Sequence, residues 1–163
     1  MVLPVNKTSY FDGSNNAFPR AVRDAFLSAN RDMDEANKCF AFGRYTACVF
    51  HLMRIMEVGL IAVGAPLSVD VKDNWGRALD KIEKQIEDRN EKFALNQMSP
   101  TEKSDWQSNR SFFSGAATHF HMVKDAWRNH TMHIVAHYDE DKARDIFNSI
   151  SAFMRHLAEK LHE

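Results

Sequence analysis

The chain has 163 residues, of which 44% are hydrophobic and 26% are charged, and its formal net charge at pH 7 is -1. This length and composition predict one ordinary soluble globular domain. The lack of a basic excess excludes the broad positive face with which proteins usually bind nucleic acid non-specifically. Any anion site must therefore be local and built from a few arginines and lysines.

The N-terminal stretch MVLPVNKTSYFDGSNNAFPR lacks the basic start and the unbroken apolar run of a secretory signal. The longest apolar stretch, from Val58 to Leu67, is shorter than the roughly 20 residues that a membrane span needs. Cys39 and Cys48 lie among apolar neighbours, which predicts buried, reduced thiols. Together these features predict a cytoplasmic protein that does not associate with a membrane.

The N-terminal part of the chain predicts a loop followed by two helices. Residues 1–17 are rich in turn-forming residues and are expected to be irregular, whereas residues 18–163 are expected to form the helical domain. The first helix is predicted to run from Pro19 to about Gly43, because its apolar residues recur at three- and four-residue spacing. The second, RYTACVFHLMRIMEVGLIAV, is apolar almost all round, which is typical of the central helix of a bundle. It is expected to end at Gly64, before Ala65-Pro66.

The third and fourth helices have clear start signals. The third, NWGRALDKIEKQIEDRNEKF, follows a cap at Asp73 or Asn74 and has a narrow apolar stripe, so it is predicted to be peripheral. Before the fourth helix, Ser99 and Glu102 have the spacing of a capping box, and a proline occupies the first helical position.

The fourth helix is predicted to continue as far as His133, with a bend at Ser114-Gly115. Asp139 is expected to cap the fifth helix, whose apolar residues again recur at helical spacing. No strand is predicted. The fold class is therefore all-α, a single-domain bundle of about five helices with the second, fourth and fifth at its core.

Three polar residues interrupt the apolar second helix: His51, Arg54 and Glu57. Polar groups on a central helix need partners, because burying them alone costs free energy. Two interpretations follow. The three residues either line a binding cleft or form a buried salt-bridge network that fixes the register of the helices.

The stretch WRNHTMH, residues 127–133, places an arginine and two histidines in a helical context. Arg128 and His133 are five residues apart, so on a straight α-helix they point about 140° away from each other. They can converge if the helix ends between them, which Asn129 would favour. They can also converge if two chains pair about a two-fold axis.

Arg128-Asn129-x-x-x-His133 resembles the signature of the HEPN superfamily, in which four residues separate the arginine from the histidine and a polar residue follows the arginine. RYTACVFHLMRIMEVGL resembles the second helix of a bacterial HEPN group, NWGRALDKIE its third-helix entry, and DAWRNHTMHIVAHYDEDKARDIFNSISAFMRHLAEKL its C-terminal third. The resemblance covers roughly residues 20–160. It implies an all-α bundle of four to five helices, and many members are metal-independent endoribonucleases in toxin–antitoxin, antiviral and RNA-processing systems.

The resemblance also implies roles for the motif residues. His133 would be the general base or acid, Arg128 would bind the phosphate and Asn129 would orient them. Histidine suits proton transfer because its unperturbed pKa is about 6.5, and the arginine fork binds two phosphate oxygens. RNA would be the substrate, and in a homodimer the two copies would line one cleft. The 2′-hydroxyl would attack the phosphate without a metal or another cofactor, and an antitoxin or regulatory protein would be a further partner.

Other residues belong to this prediction less directly. His51, Arg54, Glu57 and Lys124 are candidates for substrate binding; alternatively, Lys124 pairs with Asp125 or Glu140. The toxin branch that pairs with nucleotidyltransferases has a tyrosine where this chain has Val135, so its tyrosine-dependent regulation is not implied here.

Two alternatives remain open. The first is a HEPN module without catalytic activity that binds a nucleotide, RNA or a partner protein. The second is a metal site at His119-x-His121 or His133-x3-His137. Residues two apart face different sides of a helix, and no cysteine or carboxylate completes either set, so no metal is expected.

Overall fold

A computed structural model describes residues 7–12, 14, 17–71, 74–128 and 137–163, with the backbone alone at residue 128. In these ranges the chain is all-α, as predicted, and contains no strand. The α-helices are α1 (Thr8–Phe11), α2 (Arg20–Ala25), α3 (Asn30–Ala41), α4 (Tyr45–Gly64), α5 (Trp75–Ala94), α6 (Pro100–Val123) and α7 (Glu140–Ala158).

The predicted start signals are confirmed at three helices by hydrogen bonds from backbone N–H groups to side-chain oxygens. At α6, Ser99 Oγ accepts from the Glu102 N–H at 3.3 Å, and Glu102 Oε2 accepts from the Ser99 N–H at 2.9 Å. Asn74 Oδ1 accepts from two N–H groups in the first turn of α5. Asp139 Oδ1 accepts from the third residue of α7 at 2.9 Å. These side chains satisfy N–H groups that have no partner within their own helix.

The predicted first helix is wrong, because the chain breaks at Phe26 into α2, a short 3₁₀ turn and α3. Glu163 bonds to the backbone on both sides of this break. Its N–H donates to the Ala25 carbonyl at 2.8 Å, and its carboxylate accepts from the Ser28 N–H at 2.8 Å. These backbone groups are thus satisfied outside the helical ladder. The helix α1 is a second departure, since residues 1–17 were predicted to be irregular.

The predicted bend in the fourth helix is not marked by a break in α6, which is one α-helix through Ser114 and Gly115. Regular α-helical geometry ends instead at Val123, and a π-helical turn follows over Lys124–Arg128. Such turns widen the helix locally and are frequent at functional sites. The predicted separation of about 140° between Arg128 and His133 assumes a straight α-helix. Regular α-helical geometry ends at Val123, before Arg128.

The chain forms two compact units, of which the first comprises Met1–Ala62 and Trp127–Glu163. In it α1 packs on α3 and α2 packs on α7. The helices α4 and α7 approach closely at Gly59. A Cβ atom added there would lie 3.0 Å from both Leu157 Cδ1 and Met154 Sδ. The predicted second and fifth helices therefore pack against each other.

The second unit, Val63–Ala126, is built around the packing of α5 on α6. Trp75 and Phe120 meet edge to face, with ring centroids 5.8 Å apart. The indole N–H of Trp106 donates to Asn90 Oδ1 at 3.0 Å. The apolar stripe predicted for the third helix is confirmed, because its members are all buried: Trp75, Leu79, Ile82 and Ile86.

The stretch Tyr45–Leu67, which includes α4, is long and apolar enough to cross a membrane, with a mean hydropathy of 1.7. However, 61% of its most apolar window is buried inside the protein, which is typical of the core helix of a soluble protein. This stretch is longer than the uninterrupted apolar run from Val58 to Leu67 because it also includes the polar residues that interrupt α4. Cys39 and Cys48 are buried and free, as predicted, and burial raises the pKa of both thiols.

Candidate functional site

The candidate site in the described residues is centred on Asp32 of α3, which binds two side chains of α4. Asp32 Oδ1 lies 2.8 Å from His51 Nδ1 and 2.8 Å from Arg54 Nε. His51 and Arg54 are three residues apart and so lie on the same face of their helix. The side chain of Asp32 is only 11% exposed, whereas that of Arg54 is 56% exposed. One buried carboxylate thus holds an imidazole and an exposed guanidinium side by side.

The electrostatics of this cluster keep Asp32 ionised at neutral pH. Burial alone would raise the pKa of Asp32, but hydrogen bonds from Arg54 and His51 outweigh it and lower the pKa below its usual value. An ionised carboxylate can only accept hydrogen bonds, so the Nδ1 atom of His51 carries a proton. In neutral His51 the Nε2 atom is then a hydrogen-bond acceptor.

Of the three polar residues predicted to need partners on the second helix, two bond to Asp32. His51 and Arg54 are brought together, whereas Glu57 is exposed and its charge raises the pKa of Arg54 less than bonding to Asp32 does. Asp32 was not predicted from the sequence. It lies three residues after Ala29 and four before Ala36, and this helical spacing places it on the buried face of α3.

The motif residues are described only in part. Asn129 and His133 lie outside the described residues, and the side chain of Arg128 is not described. Lys124 belongs to the π-helical turn, and its Nζ lies 3.2 Å from Asp125 Oδ1. Of the two partners predicted for Lys124, Asp125 is the one it contacts.

The two flanks of the motif segment meet beside the first turn of α4. The N–H of Tyr138 donates to Thr46 Oγ1 at 3.2 Å. The Tyr138 hydroxyl lies 3.5 Å from the Trp127 carbonyl oxygen, at the long limit for a hydrogen bond. The chain therefore enters and leaves the motif segment at neighbouring points of the first unit.

A second polar cluster lies next to these flanks and joins three parts of the first unit. Lys7 Nζ is 2.6 Å from both the Tyr45 hydroxyl and Glu140 Oε2, and the Tyr45 hydroxyl is 2.5 Å from that same oxygen. Arg144 also pairs with Glu140. Burial lowers the pKa of Lys7, but bonding to Glu140 and Tyr45 raises it above its usual value. No helical spacing in the sequence predicts the position of Lys7.

The described histidines do not form a metal centre. His121 Nε2 lies 3.1 Å from Glu83 Oε1 across α5 and α6. In the described ranges no group of three or more histidine, cysteine or carboxylate side chains could hold a metal ion. The pairing of His133 with His137 falls outside these ranges, because His133 is not described.

Comparison with known proteins identifies no relative: no protein-family profile, no curated protein and no solved structure matches the chain.

Proposed function

We propose that the protein is a metal-independent endoribonuclease of the HEPN type. RNA is cleaved by attack of its own 2′-hydroxyl on the adjacent phosphate. The catalytic residues are Arg128 and His133, with Asn129 orienting them, and two copies of the chain line one composite cleft. The products carry 2′,3′-cyclic phosphate and 5′-hydroxyl ends. A cytoplasmic role as a toxin or antiphage effector, controlled by an antitoxin or another regulatory protein, belongs to this proposal.

The observation that most directly supports this proposal is the shared bonding of His51 and Arg54 to Asp32. Cleavage by a 2′-hydroxyl needs a group that transfers a proton and a permanent cation that binds the phosphate. On one helix face the cluster presents the His51 imidazole beside a guanidinium that is more than half exposed and can bind a phosphate, while proton transfer is assigned to His133. His51 and Arg54 would bind the substrate in this proposal, with Glu57 and Lys124 as further candidates at lower priority.

The motif residues carry the chemistry. His133 removes the 2′-hydroxyl proton or protonates the leaving 5′-oxygen, because an imidazole exchanges protons near neutral pH. Arg128 binds two oxygens of the phosphate and stabilises the charge that builds up on it during attack. Asn129 contributes an amide that can hydrogen-bond to either group.

The decisive test is digestion of a structured RNA by the purified protein in EDTA. We expect cleavage by the wild type and at least a 100-fold loss of rate in Arg128→Ala and in His133→Ala, since each removes a group that acts in the transition state. Arg20→Ala and His156→Ala are matched controls, because both side chains are more than half exposed and lie outside the motif. Cleavage that persists equally in all four variants would overturn the proposal.

One observation favours a second candidate, a HEPN module without catalytic activity that binds a nucleotide, RNA or a partner protein. His51 and Arg54 both bond to Asp32 within the protein, as expected for a network that fixes the register of α3 and α4. This function predicts that the wild type leaves RNA intact and that ligand binding survives His133→Ala. A binding titration run beside the digestion separates the two candidates.

A further inference from the structure

The second unit carries a group of cations that lie on aromatic rings. Lys103 Nζ and Arg110 Cζ, both from α6, lie 5.5 Å and 5.3 Å from the centroid of the Phe93 ring of α5. Arg89 Cζ of α5 lies 5.5 Å from the centroid of the Trp106 ring. We call these five residues, together with the exposed Lys92, the Phe93 surface.

In the described residues, three cations of the Phe93 surface form no ion pair. In the part of the chain that the structure describes, no ion pair joins Arg89, Lys103 or Arg110 to an acidic side chain. Their hydrogen bonds go to neutral oxygens: Arg89 Nη2 donates to a backbone carbonyl at 2.9 Å, and Lys103 Nζ donates to Asn96 Oδ1 at 2.8 Å. Elsewhere several cations of this chain pair with carboxylates, for example Arg23 with Asp34 and Lys38 with Glu35.

One carboxylate does lie near this surface. Bonding to Ser99 lowers the pKa of Glu102, and the charges of Lys92 and Arg89 lower it further. However, Glu102 Oε2 accepts from the backbone N–H of Ser99 in the capping box. It is therefore held at the start of α6, where its negative charge offsets part of the positive charge of Lys92 and Arg89.

The spacing of these residues makes the surface a strip. On α6, Lys103, Gln107 and Arg110 follow at four- and three-residue intervals and so share one helix face. Lys103 and Arg110 are seven residues apart, which is about 10 Å along the helix axis. Arg110 is exposed, and Phe93 is half-buried beneath it. The Arg110 Cζ atom lies 5.3 Å from the Phe93 ring centroid, a cation–π distance, and an exposed guanidinium of this kind can bind a phosphate and stack on a base.

We propose that the Phe93 surface binds single-stranded RNA. Its cations contact successive phosphates, and the Arg110 guanidinium stacks against a base. Single-stranded RNA fits this chemistry because its bases are unpaired and its backbone carries a regular row of negative charges. The choice of RNA as the polyanion rests on the proposed ribonuclease function, and the surface gives that enzyme a place to hold the strand outside its catalytic motif.

The test is a binding titration with a fluorescent 12-nucleotide 2′-O-methyl oligouridylate in EDTA, followed by anisotropy at several salt concentrations. This RNA has no free 2′-hydroxyl and cannot be cut, so binding is measured whether or not the protein is catalytic. We expect Lys103→Gln/Arg110→Gln to weaken binding about tenfold or more, and to lower the slope of log K against log salt by about 1 to 1.5. Lys81→Gln/Lys84→Gln is the matched control, with the same charge change at two exposed residues of α5; we expect less than a twofold effect.

Each other outcome counts against the proposal. Equal losses in the two double variants would mean that only net charge matters, and no binding by the wild type would remove the site. Equal competition by polyglutamate would assign the surface to acidic proteins.

If Lys103→Gln/Arg110→Gln does not fold, Arg110→Lys provides the test. It keeps the charge but loses the stacking plane, so binding should weaken at least threefold with an unchanged salt slope. If the wild type binds RNA but never cuts it, the RNA-binding site is supported and the proposed ribonuclease activity is refuted.

Discussion

Asp32 determines the geometry of the described site, because one oxygen of its carboxylate accepts hydrogen bonds from both His51 and Arg54. Without that acceptor, the imidazole loses the partner that fixes its tautomer and the guanidinium loses its anchor. The cost would fall on stability as well as on the proposed substrate binding. A buried group left without its partner costs about 1–3 kcal/mol.

Asp32→Asn should therefore remove a stabilising contribution that depends on pH. The pKa of Asp32 in the folded protein lies below the value of about 3.9 expected when the chain is unfolded. Its contribution is thus fully present above pH 4 to 5 and is lost as the pH falls through the folded pKa. Urea unfolding should show the wild type about 1–3 kcal/mol more stable than the variant at pH 7, with a smaller difference at pH 3.

Asp24→Asn is the control for this measurement, because Asp24 forms an exposed ion pair with Arg20. Exposed pairs contribute little, so this variant should lose less than about 0.5 kcal/mol at either pH. A stability difference between wild type and Asp32→Asn that stays the same from pH 7 to pH 3 would contradict the assignment of the pH dependence to this carboxylate.

The sequence identified only the residues of this cluster that stand out from their surroundings. His51 and Arg54 interrupt an apolar helix, and such residues signal a need for partners. Asp32 lies in a helix that also contains Arg31 and Asp34, and charge alone does not distinguish the buried residue from the exposed ones. The contact between Lys7 and Glu140 joins residues 133 positions apart, a separation that no local pattern encodes.

At the scale of the helices, the sequence was reliable where the signal is local. Caps at Asn74, Ser99 and Asp139 set the starts of three helices, because each side chain bonds to backbone only two or three residues ahead. The break at Phe26 was missed because the residue that bonds to the backbone on both sides of it, Glu163, lies 135 positions after Ser28 in the sequence. Apolar residues recur at three- and four-residue spacing through that break, so this pattern alone predicts one helix where the structure has α2 and α3.

Two helical glycines in the second unit should respond to alanine in opposite directions. A Cβ at Gly64 would lie 2.8 Å from the backbone oxygen of Val69, whereas a Cβ at Gly115 would meet nothing within 4 Å. Gly64→Ala should therefore destabilise the protein by about 1–3 kcal/mol, because the backbone must move. Gly115→Ala should stabilise it by up to about 1 kcal/mol through higher helix propensity. Thermal and urea unfolding of both variants measure this. A Gly64→Ala variant as stable as the wild type would contradict the close approach at Gly64, and a destabilised Gly115→Ala variant would contradict the open space at Gly115.

For the whole molecule, the proposed chemistry and the proposed RNA-binding surface belong to different compact units. Asp32, His51 and the flanks of the motif lie in the first unit, and the Phe93 surface lies in the second. Variants can therefore separate the two roles. Substitutions on the Phe93 surface should raise the KM for RNA with little change in kcat, since they remove binding that is equally strong before and during reaction.

The composite cleft can be tested by mixing two inactive proteins. Arg128→Ala and His133→Ala should each be inactive as homodimers. After subunit exchange at a one-to-one ratio, about half of the dimers contain one copy of each. If the composite cleft holds two arginine–histidine pairs, each with its arginine from one chain and its histidine from the other, every mixed dimer has one intact pair of two. The mixture should then regain about one quarter of wild-type activity.

Mass measurement in solution must accompany the mixing experiment, because exchange requires a dimer. A dimer whose subunits exchange but whose mixture stays inactive would show that each chain uses its own Arg128 and His133. The chain would then have to leave straight α-helical geometry within the motif, since a straight α-helix points these two residues about 140° apart. The π-helical turn that reaches Arg128 shows that regular α-helical geometry already ends just before the motif. Recovered activity would instead require the two-fold arrangement, with both chains contributing to each site.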